Sequence, residues 1–584
     1  MTLTDQQQEL VDAVAESTFV TACPGAGKTR AVVARYVRRT REEPRKGVAL
    51  VSFTNAAIDE VHRRCADQRE ATQAPHFVGT FDSFVSRFLV APLYRTVFGV
   101  SPRLIQSWND VNASRFRLAG NAQVPDVQLS WFDFDVEGHA TLCPDRVPTR
   151  AGNALIGLLT TTRRQEAENR AGAIYRALIE AGTVSCDAAR FLARSWITDP
   201  TMRGMIEALV ANRFAEVIVD EAQDCGEEEL VVLQFLMGCG VPVLMIGDLD
   251  QAIYEFRRAM PEMVKTFAGQ LPRQLSLSDN FRSTPAICAL NASLRAGDQL
   301  DIARGPWASS ELAIQVIGYR QSTDIASQVR ATAEEYGFTA ELTITLSHGS
   351  ADAMRAVGVS TVDAVGNNRV AAIVDAGQKL RANTDGSLRV AALERVERDL
   401  VEAAVGTFGP YSLDAVLERH GIDRRWLRDT TVRLCQVLDP EQMTASQFSA
   451  TVRSRLAELA WPSNLTINTA LFRAPTASDW VALKGAGAPS VLPHSTVHGV
   501  KGLEFPVVAL TLPAKLRKHE ATGRTVLDDW EYGFATEARR VLYVGASRAE
   551  QLLMLVVPNG QLERVTKLLS RDAVPYQVRP RSTA

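Results

Sequence analysis

Apolar runs of strand length recur along the chain, and each one ends at a polar motif. The β-type run Thr18–Ala22 leads into CPGAGKTR and then the helix-like AVVARYVRR. VALVSF (48–53), the run Glu216–Val219 before DEAQD, and VPVLMIGD (241–248) predict three further buried strands. Continuous apolar runs bounded by polar residues suit strands covered on both faces. Strand, glycine-rich loop and helix in succession is the setting of a phosphate-binding loop. Strands alternating with helices predict a parallel sheet with functional loops at the strand C-termini.

A second series begins near QLSLSDNFRS (274–283) and continues with AELTITL (340–346), VVALTL (507–512) and QLLMLVV (551–557). The phosphate loop and DEAQD lie too far apart for one compact α/β layer. The intervening stretch is patterned for helices, as in AGAIYRALIEAGTVSCDAARFLARSW, and so is GSLRVAALERVERDLVEAAV farther on. The expected fold class is α/β, with two parallel-sheet P-loop NTPase cores, each interrupted by a mainly helical insertion. The expected boundaries are 1–90, 91–205 (insertion) and 206–273 for the first core, then 274–358, 359–485 (insertion) and 486–584 for the second.

Composition changes this picture little. A chain of 584 residues, 46% hydrophobic and 22% charged, is ordinary globular material and long enough for several domains. A net charge of −3 leaves room for a basic groove confined to one face. Eight cysteines occur without a CxxC pair, which argues against zinc ribbons and iron–sulfur clusters and fits a reducing compartment. MTLTDQQQEL lacks the layout of a signal peptide, and no apolar run approaches the roughly 20 residues of a membrane span. A cytoplasmic protein without membrane association is expected.

The chemistry lies at the strand ends. In ACPGAGKT (22–29), Ala22 stands where the phosphate-loop pattern usually has its first glycine. Ala22, Cys23, Pro24, Gly25, Ala26 and Gly27 form the candidate cradle, with backbone N–H groups facing a phosphate. Lys28 is the candidate contact to the β/γ-phosphates and Thr29 a candidate Mg²⁺ ligand. VIVDEAQD (217–224) offers Asp220 for the metal and Glu221 to orient or deprotonate the attacking water. Phosphoryl transfer also needs positioned positive charge, for which Arg282 in SDNFRST and Arg548 in LYVGASRAE are the candidates. His494 and His498 are read as ordinary residues of an extended segment. The basic stretch Arg35, Arg38, Arg39, Arg41, Arg45 and Lys46 is read as a solvated helix face.

Taken together and in this order, the motifs resemble the UvrD/Rep family of superfamily 1 helicases. LTDQQ (3–7) resembles its adenine-reading motif with Gln7 in the recognition position, and ACPGAGKTR its Walker A motif with Arg30 beside the adenine. SFTNAA (52–57) and GTFDSF (79–84) resemble its early DNA motifs, and VDEAQD its Walker B motif. IGDLDQAIYEFRRA (246–259) resembles its coupling motif, making Gln251 a γ-phosphate sensor, while DNFRST makes Phe281 an adenine-side ring and Arg282 a γ-phosphate arginine. TVHGVKGLEF (496–505) and EARRVLYVGASRAE (537–550) resemble the last two motifs, which implies a nucleotide or ribose contact for Glu504 and an arginine finger for Arg548. The resemblance also implies DNA contacts at Phe53, Thr54, Asn55, Thr80, Tyr254, Phe256 and His498.

The resemblance further implies two RecA-like cores, Mg-ATP between them, and 3′–5′ movement on single-stranded or tailed duplex DNA, with a role in DNA repair. Three departures stand out. Ala56 replaces the usual Lys, Asp82 replaces the usual His, and a GGxxFF-type segment is missing from the second insertion. Translocation and ATPase activity are therefore the better-supported expectations. A regulatory or protein-displacing motor in a repair or phage-defence complex, or an ATP-dependent binding switch, stay open as alternatives. The stretch after Arg548 is too short for a nuclease domain, so a nuclease or repair factor would act as a separate partner.

Overall fold

The computed structural model describes residues 3–43, 45–66, 68–118, 127–135, 137–147, 163–253, 260–297, 300–357, 368–381, 386–406, 413–437, 440–462, 465–477, 479–480, 483, 492–519 and 522–579. They fall into two compact units, Met1–Ser278 and Asp279–Ala584. No helix among the described residues is long and apolar enough to cross a membrane.

The first unit is built on six parallel strands: β1 (Thr18–Ala22), β2 (Gly47–Ser52), β3 (Phe77–Thr80), β4 (Phe214–Asp220), β5 (Val243–Gly247) and β6 (Arg273–Leu277). Their order is β6-β1-β5-β4-β2-β3. Alternate residues of one strand enter different cores, as the two-residue period requires. Val48, Leu50 and Ile218 pack with Val32 and Tyr36 of the helix that follows the glycine loop. Ala49, Val51, Val217 and Val219 pack with the inserted segment, through Leu93, Tyr175 and Trp196. The first insertion therefore completes one face of the sheet.

Two sequence expectations change here. β6 pairs with β1 through Thr18–Arg273 to Ala22–Leu277, so the first unit runs to Ser278 and not 273. The first insertion holds the expected helices Arg164–Glu180 and Cys186–Thr198, but its earlier part is short strand pairs, such as Phe132–Phe134 against Ala140–Leu142. Such two- and three-residue strands carry too little periodicity to register in a sequence.

The solvated-face reading of the basic stretch fails at Arg35. Its side chain is 0% exposed. Nε donates to Glu216 Oε1 at 3.0 Å, and a terminal nitrogen donates to the Leu10 and Ala13 carbonyls at 2.9 and 2.8 Å. Arg35 thus ties the first helix, α1 (Asp5–Asp12), to the helix after the loop, α2 (Lys28–Glu42), and to β4. Arg38 keeps the expected character, pairing with Glu42 at the surface, but Arg39, its side chain 11% exposed, also reaches the buried Glu216 at 3.2 Å. A buried charge left without any partner costs about 3–5 kcal/mol, and the loss of Arg35 should cost less than that because Glu216 keeps Arg39. Arg35→Ala is expected to lower the denaturant midpoint accordingly; an unchanged midpoint would refute this reading.

The second unit repeats the plan with β7 (Ile314–Tyr319), β8 (Thr343–Ser347), β9 (His494–Thr496), β10 (Phe505–Thr511), β11 (Ala549–Pro558) and β12 (Tyr576–Val578). The order is β9-β8-β10-β11-β7-β12, all parallel. The expected α/β class with two parallel-sheet cores is what the chain forms. The second insertion contains the helices Arg369–Arg381, Gly386–Val405, Leu413–His420, Arg424–Val437 and Ala445–Glu458. It has a hydrophobic core of its own, including Ile373, Leu400, Phe448 and Phe472.

Candidate active site

All six strands of the first sheet point the same way, so the loops after β1, β4 and β5 open on one edge. Register brings them level: Thr21 lies opposite Gly247, and Asp220 opposite Ile246.

The loop after β1 is held at its base by Cys23 N donating to Leu277 O at 2.9 Å. Gly25 and Gly27 both have φ of 69°, a left-handed conformation that favours glycine. A Cβ on Gly27 would also stand 2.7 Å from Gln7 Nε2. Gly27 precedes α2 and offers no side-chain cap, and a helix N-terminus with its dipole suits an anion. Lys28 and Thr29 open that helix, and Arg30 follows.

Gln7 is buried. Its side chain forms a capping box with Thr4 and donates to Ala26 O at 2.9 Å, bracing the loop from behind. Gln6, which the sequence reading passed over, accepts from Ser278 N and donates to Ser278 Oγ, each at 2.9 Å. Gln7 thus braces the phosphate loop directly, while Gln6 of the same helix holds Ser278 just after β6.

Asp220 ends β4 and is buried. Burial and the neighbouring Glu221 push its carboxyl up to about 7, while Lys28 pulls the other way. Lys28 is thus close enough to Asp220 to be felt electrostatically. Asp220 and Thr29 both offer hard oxygen donors, and a buried carboxylate crowded by another suits a divalent cation such as Mg²⁺. Glu221 adopts φ 57° and ψ 45°, a left-handed backbone costing a non-glycine residue about 1–3 kcal/mol. Gln251 is buried; its N donates to Asp248 O, and its Nε2 to Asp248 Oδ2, both at 2.8 Å. Asp135, Glu137 and His139 form another potential metal-holding group among the described residues, but all three are exposed and His139 Nδ1 pairs with Asp135 at 2.9 Å.

Of the candidate DNA contacts, Thr54 after β2 and Thr80 at the end of β3 cap the next helices, accepting from Ala57 N at 3.3 Å and Ser83 N at 3.2 Å. Phe53 lies half-buried and stacks on Phe81, with centroids 5.8 Å apart and planes 8° apart. The side chain of Asn55 and the whole of Tyr254 and Phe256 lie outside the described residues. Asp82 does not stand bare at this edge. It pairs with Arg190 at 2.9 Å, and Arg190 also reaches Glu229 at 3.2 Å. The acidic replacement fastens the inserted helix Cys186–Thr198 through Arg190, a cation that it shares with Asp187 and Glu229.

Within the second unit, three more candidates meet. Arg282 donates to Ser547 O at 2.9 Å and to Glu504. Arg548 is 2% exposed; Nε donates to Val544 O at 3.1 Å, one terminal nitrogen to Ser547 Oγ at 2.9 Å and the other to Leu503 O at 3.4 Å. Both arginines converge on Ser547. Phe281, next to Arg282 in sequence, is half-buried. His498 follows β9 and faces His348, ring centroids 5.7 Å apart. His494 is buried within β9, and burial holds its pKa below the usual value, which agrees with its reading as an ordinary residue.

Comparison with known proteins bears on the same residues. The model of the UvrD/REP helicase N-terminal domain matches residues 3–128 and 160–272, and that of the UvrD-like helicase C-terminal domain matches 485–559. Together they match more than half of the chain. DNA helicase II of Salmonella typhimurium is 28% identical over 298 residues, covering 49% of this chain and 39% of that protein. DNA helicase II of Escherichia coli has the same identity and coverage. ATP-dependent DNA helicase Rep of Escherichia coli is 23% identical over 352 residues, covering 59% of this chain and 49% of Rep. The chain thus spans between about two fifths and one half of the length of these curated relatives. With both terminal-domain models matched and the motif residues gathered at the strand ends, the chain belongs to the UvrD/Rep family of helicases.

Proposed function

We propose that this protein is an ATP-dependent DNA helicase or translocase acting 3′–5′ on single-stranded or tailed duplex DNA. The supporting observation is the single edge of the first sheet at which a glycine loop, Lys28, Asp220, Glu221 and Gln251 come together. The loop N–H groups and Lys28 bind the phosphates of ATP. Thr29 and Asp220 would hold Mg²⁺, which when bound neutralises phosphate charge. Glu221 orients and deprotonates the attacking water, and Gln251 responds to the γ-phosphate. Arg282 and Arg548 meet the charge that develops as the phosphoryl group transfers. Loss of the γ-phosphate removes the interactions that favour the closed state, and that difference drives movement along DNA.

Thr54, Thr80, His498 and aromatic rings, Phe53 among them, form the proposed DNA track. Stacking of bases on such rings is sequence-tolerant and worth about 1–3 kcal/mol per base. The proposed work is cytoplasmic, a reading supported by bacterial relatives named as DNA helicases.

ATP turnover measured with and without single-stranded DNA, followed by unwinding of duplexes tailed at either end, tests the reading. Turnover indifferent to DNA would favour an ATP-dependent switch. A second reading draws on the Asp82–Arg190 pair: where the family grips DNA, this chain ties down its own insertion. A DNA-stimulated motor that displaces proteins, working with a separate nuclease or repair factor, would show strong stimulation without strand separation.

A further inference from the structure

Gln223 belongs to the DEAQD motif, yet nothing in phosphoryl transfer requires an amide there. It is entirely buried, and both ends of the amide are committed. Its Oε1 accepts from Asp248 N at 3.1 Å, and its Nε2 donates to Glu221 Oε2. Asp248 in turn accepts from the Gln251 amide through Oδ2. A continuous hydrogen-bonded path therefore runs from Gln251 through Asp248 and Gln223 to Glu221, within one unit and across two neighbouring strand ends.

Two features show that the path is built in. Glu221 has a left-handed backbone, a conformation that persists only when its surroundings enforce it. Gly247 leaves the space the amide occupies, since a Cβ there would stand 2.5 Å from Gln223 Oε1. We propose that Gln223 is a positioning residue that aims the Glu221 carboxylate and couples it to the state of Gln251. When Gln251 moves to meet the γ-phosphate, Asp248 shifts, and the amide anchored on its N–H carries that shift to Glu221. The inference rests on the hydrolytic role proposed above.

The test uses the full chain with Gln223→Ala, Gln223→Glu, Gln251→Ala and the Gln223→Ala/Gln251→Ala double variant. Gln223→Glu retains an acceptor for Asp248 N–H and loses the donor to Glu221, so it tests aim without emptying the site. Both Gln223 variants are expected to lose on the order of 10–100-fold in kcat, the usual cost of removing an outer hydrogen bond that orients a reacting group. KM for ATP and binding of a fluorescent ATP analogue should stay within about twofold, because the phosphate loop is untouched. If Gln223 transmits what Gln251 senses, the double variant should be no slower than the slower single variant. Multiplying losses would overturn the coupling, and Gln223→Glu with near-normal kcat would overturn the positioning. Nucleotide binding lost together with kcat would mark Gln223 as a packing residue and end the inference. A wild-type protein without any ATPase activity would remove the proposed function itself, an outcome distinct from all of these.

Discussion

Glu221→Gln is expected to retain nucleotide and lose hydrolysis, by on the order of 10²–10⁴-fold for loss of a general base. The substitution keeps side-chain length and a hydrogen-bonding group beside Gln223, but removes the charge that draws a proton from water. Lys28→Ala should abolish turnover by another route. Lys28 opens α2 at the phosphate loop and acts electrostatically on Asp220, so its loss weakens phosphate binding and leaves two crowded carboxylates less compensated. Steady-state hydrolysis with saturating single-stranded DNA, paired with equilibrium nucleotide binding, separates the two. If Glu221→Gln hydrolysed ATP at close to the wild-type rate, the assignment of the base would have to be abandoned.

The second large effect is expected at Arg548. As an arginine finger its replacement by alanine should slow turnover by on the order of 10³–10⁵. The structure adds a condition to that measurement. Arg548 is buried, with its guanidinium donating to Val544 O, Ser547 Oγ and Leu503 O. Truncation would remove all three donated hydrogen bonds and empty a buried site, although Val544 O keeps Ser547 Oγ as a donor. Thermal unfolding and nucleotide binding must therefore accompany the rate. Arg548→Lys keeps the charge but not the planar fork, so it should fold better than the alanine variant while remaining slow. Hydrolysis near normal in Arg548→Ala would sink the finger role, whereas slow hydrolysis restored by Arg548→Lys would show that charge alone suffices. Arg282 shares Ser547 with Arg548 and bonds Glu504, so losses at the two arginines should not multiply freely.

The nucleotide site was legible because its signals are local. The apolar run Thr18–Ala22 is β1 residue for residue. The glycine loop, the helix start at Lys28 and Asp220 at the end of β4 all follow from neighbours in sequence. A strand buried on both faces announces itself by continuous apolar character, and a left-handed loop residue by glycine. The same locality let the order of short motifs identify the family.

What stayed hidden depended on partners far away along the chain. Arg35 reads as one more basic residue on a surface helix until Glu216, 181 residues later, meets it in the core. Asp82 reads as no more than a replacement of the usual His until Arg190, on the inserted helix, pairs with it. β6 reads as the opening of the second core until its pairing with β1 assigns it to the first. Gln223 gains its partners only when the ends of β4 and β5 bring Asp248 to its amide.

The amino-acid sequence by itself determined the two-core plan, the phosphate loop, the paired carboxylates and the family, since each is written in contiguous residues with a fixed period or spacing. Only the tertiary structure decided which charges are buried, which strand closes which sheet, and how Gln251 connects to Glu221. Those outcomes depend on side chains that meet solely because parallel strands set their C-terminal ends on one edge, and no local pattern encodes that meeting.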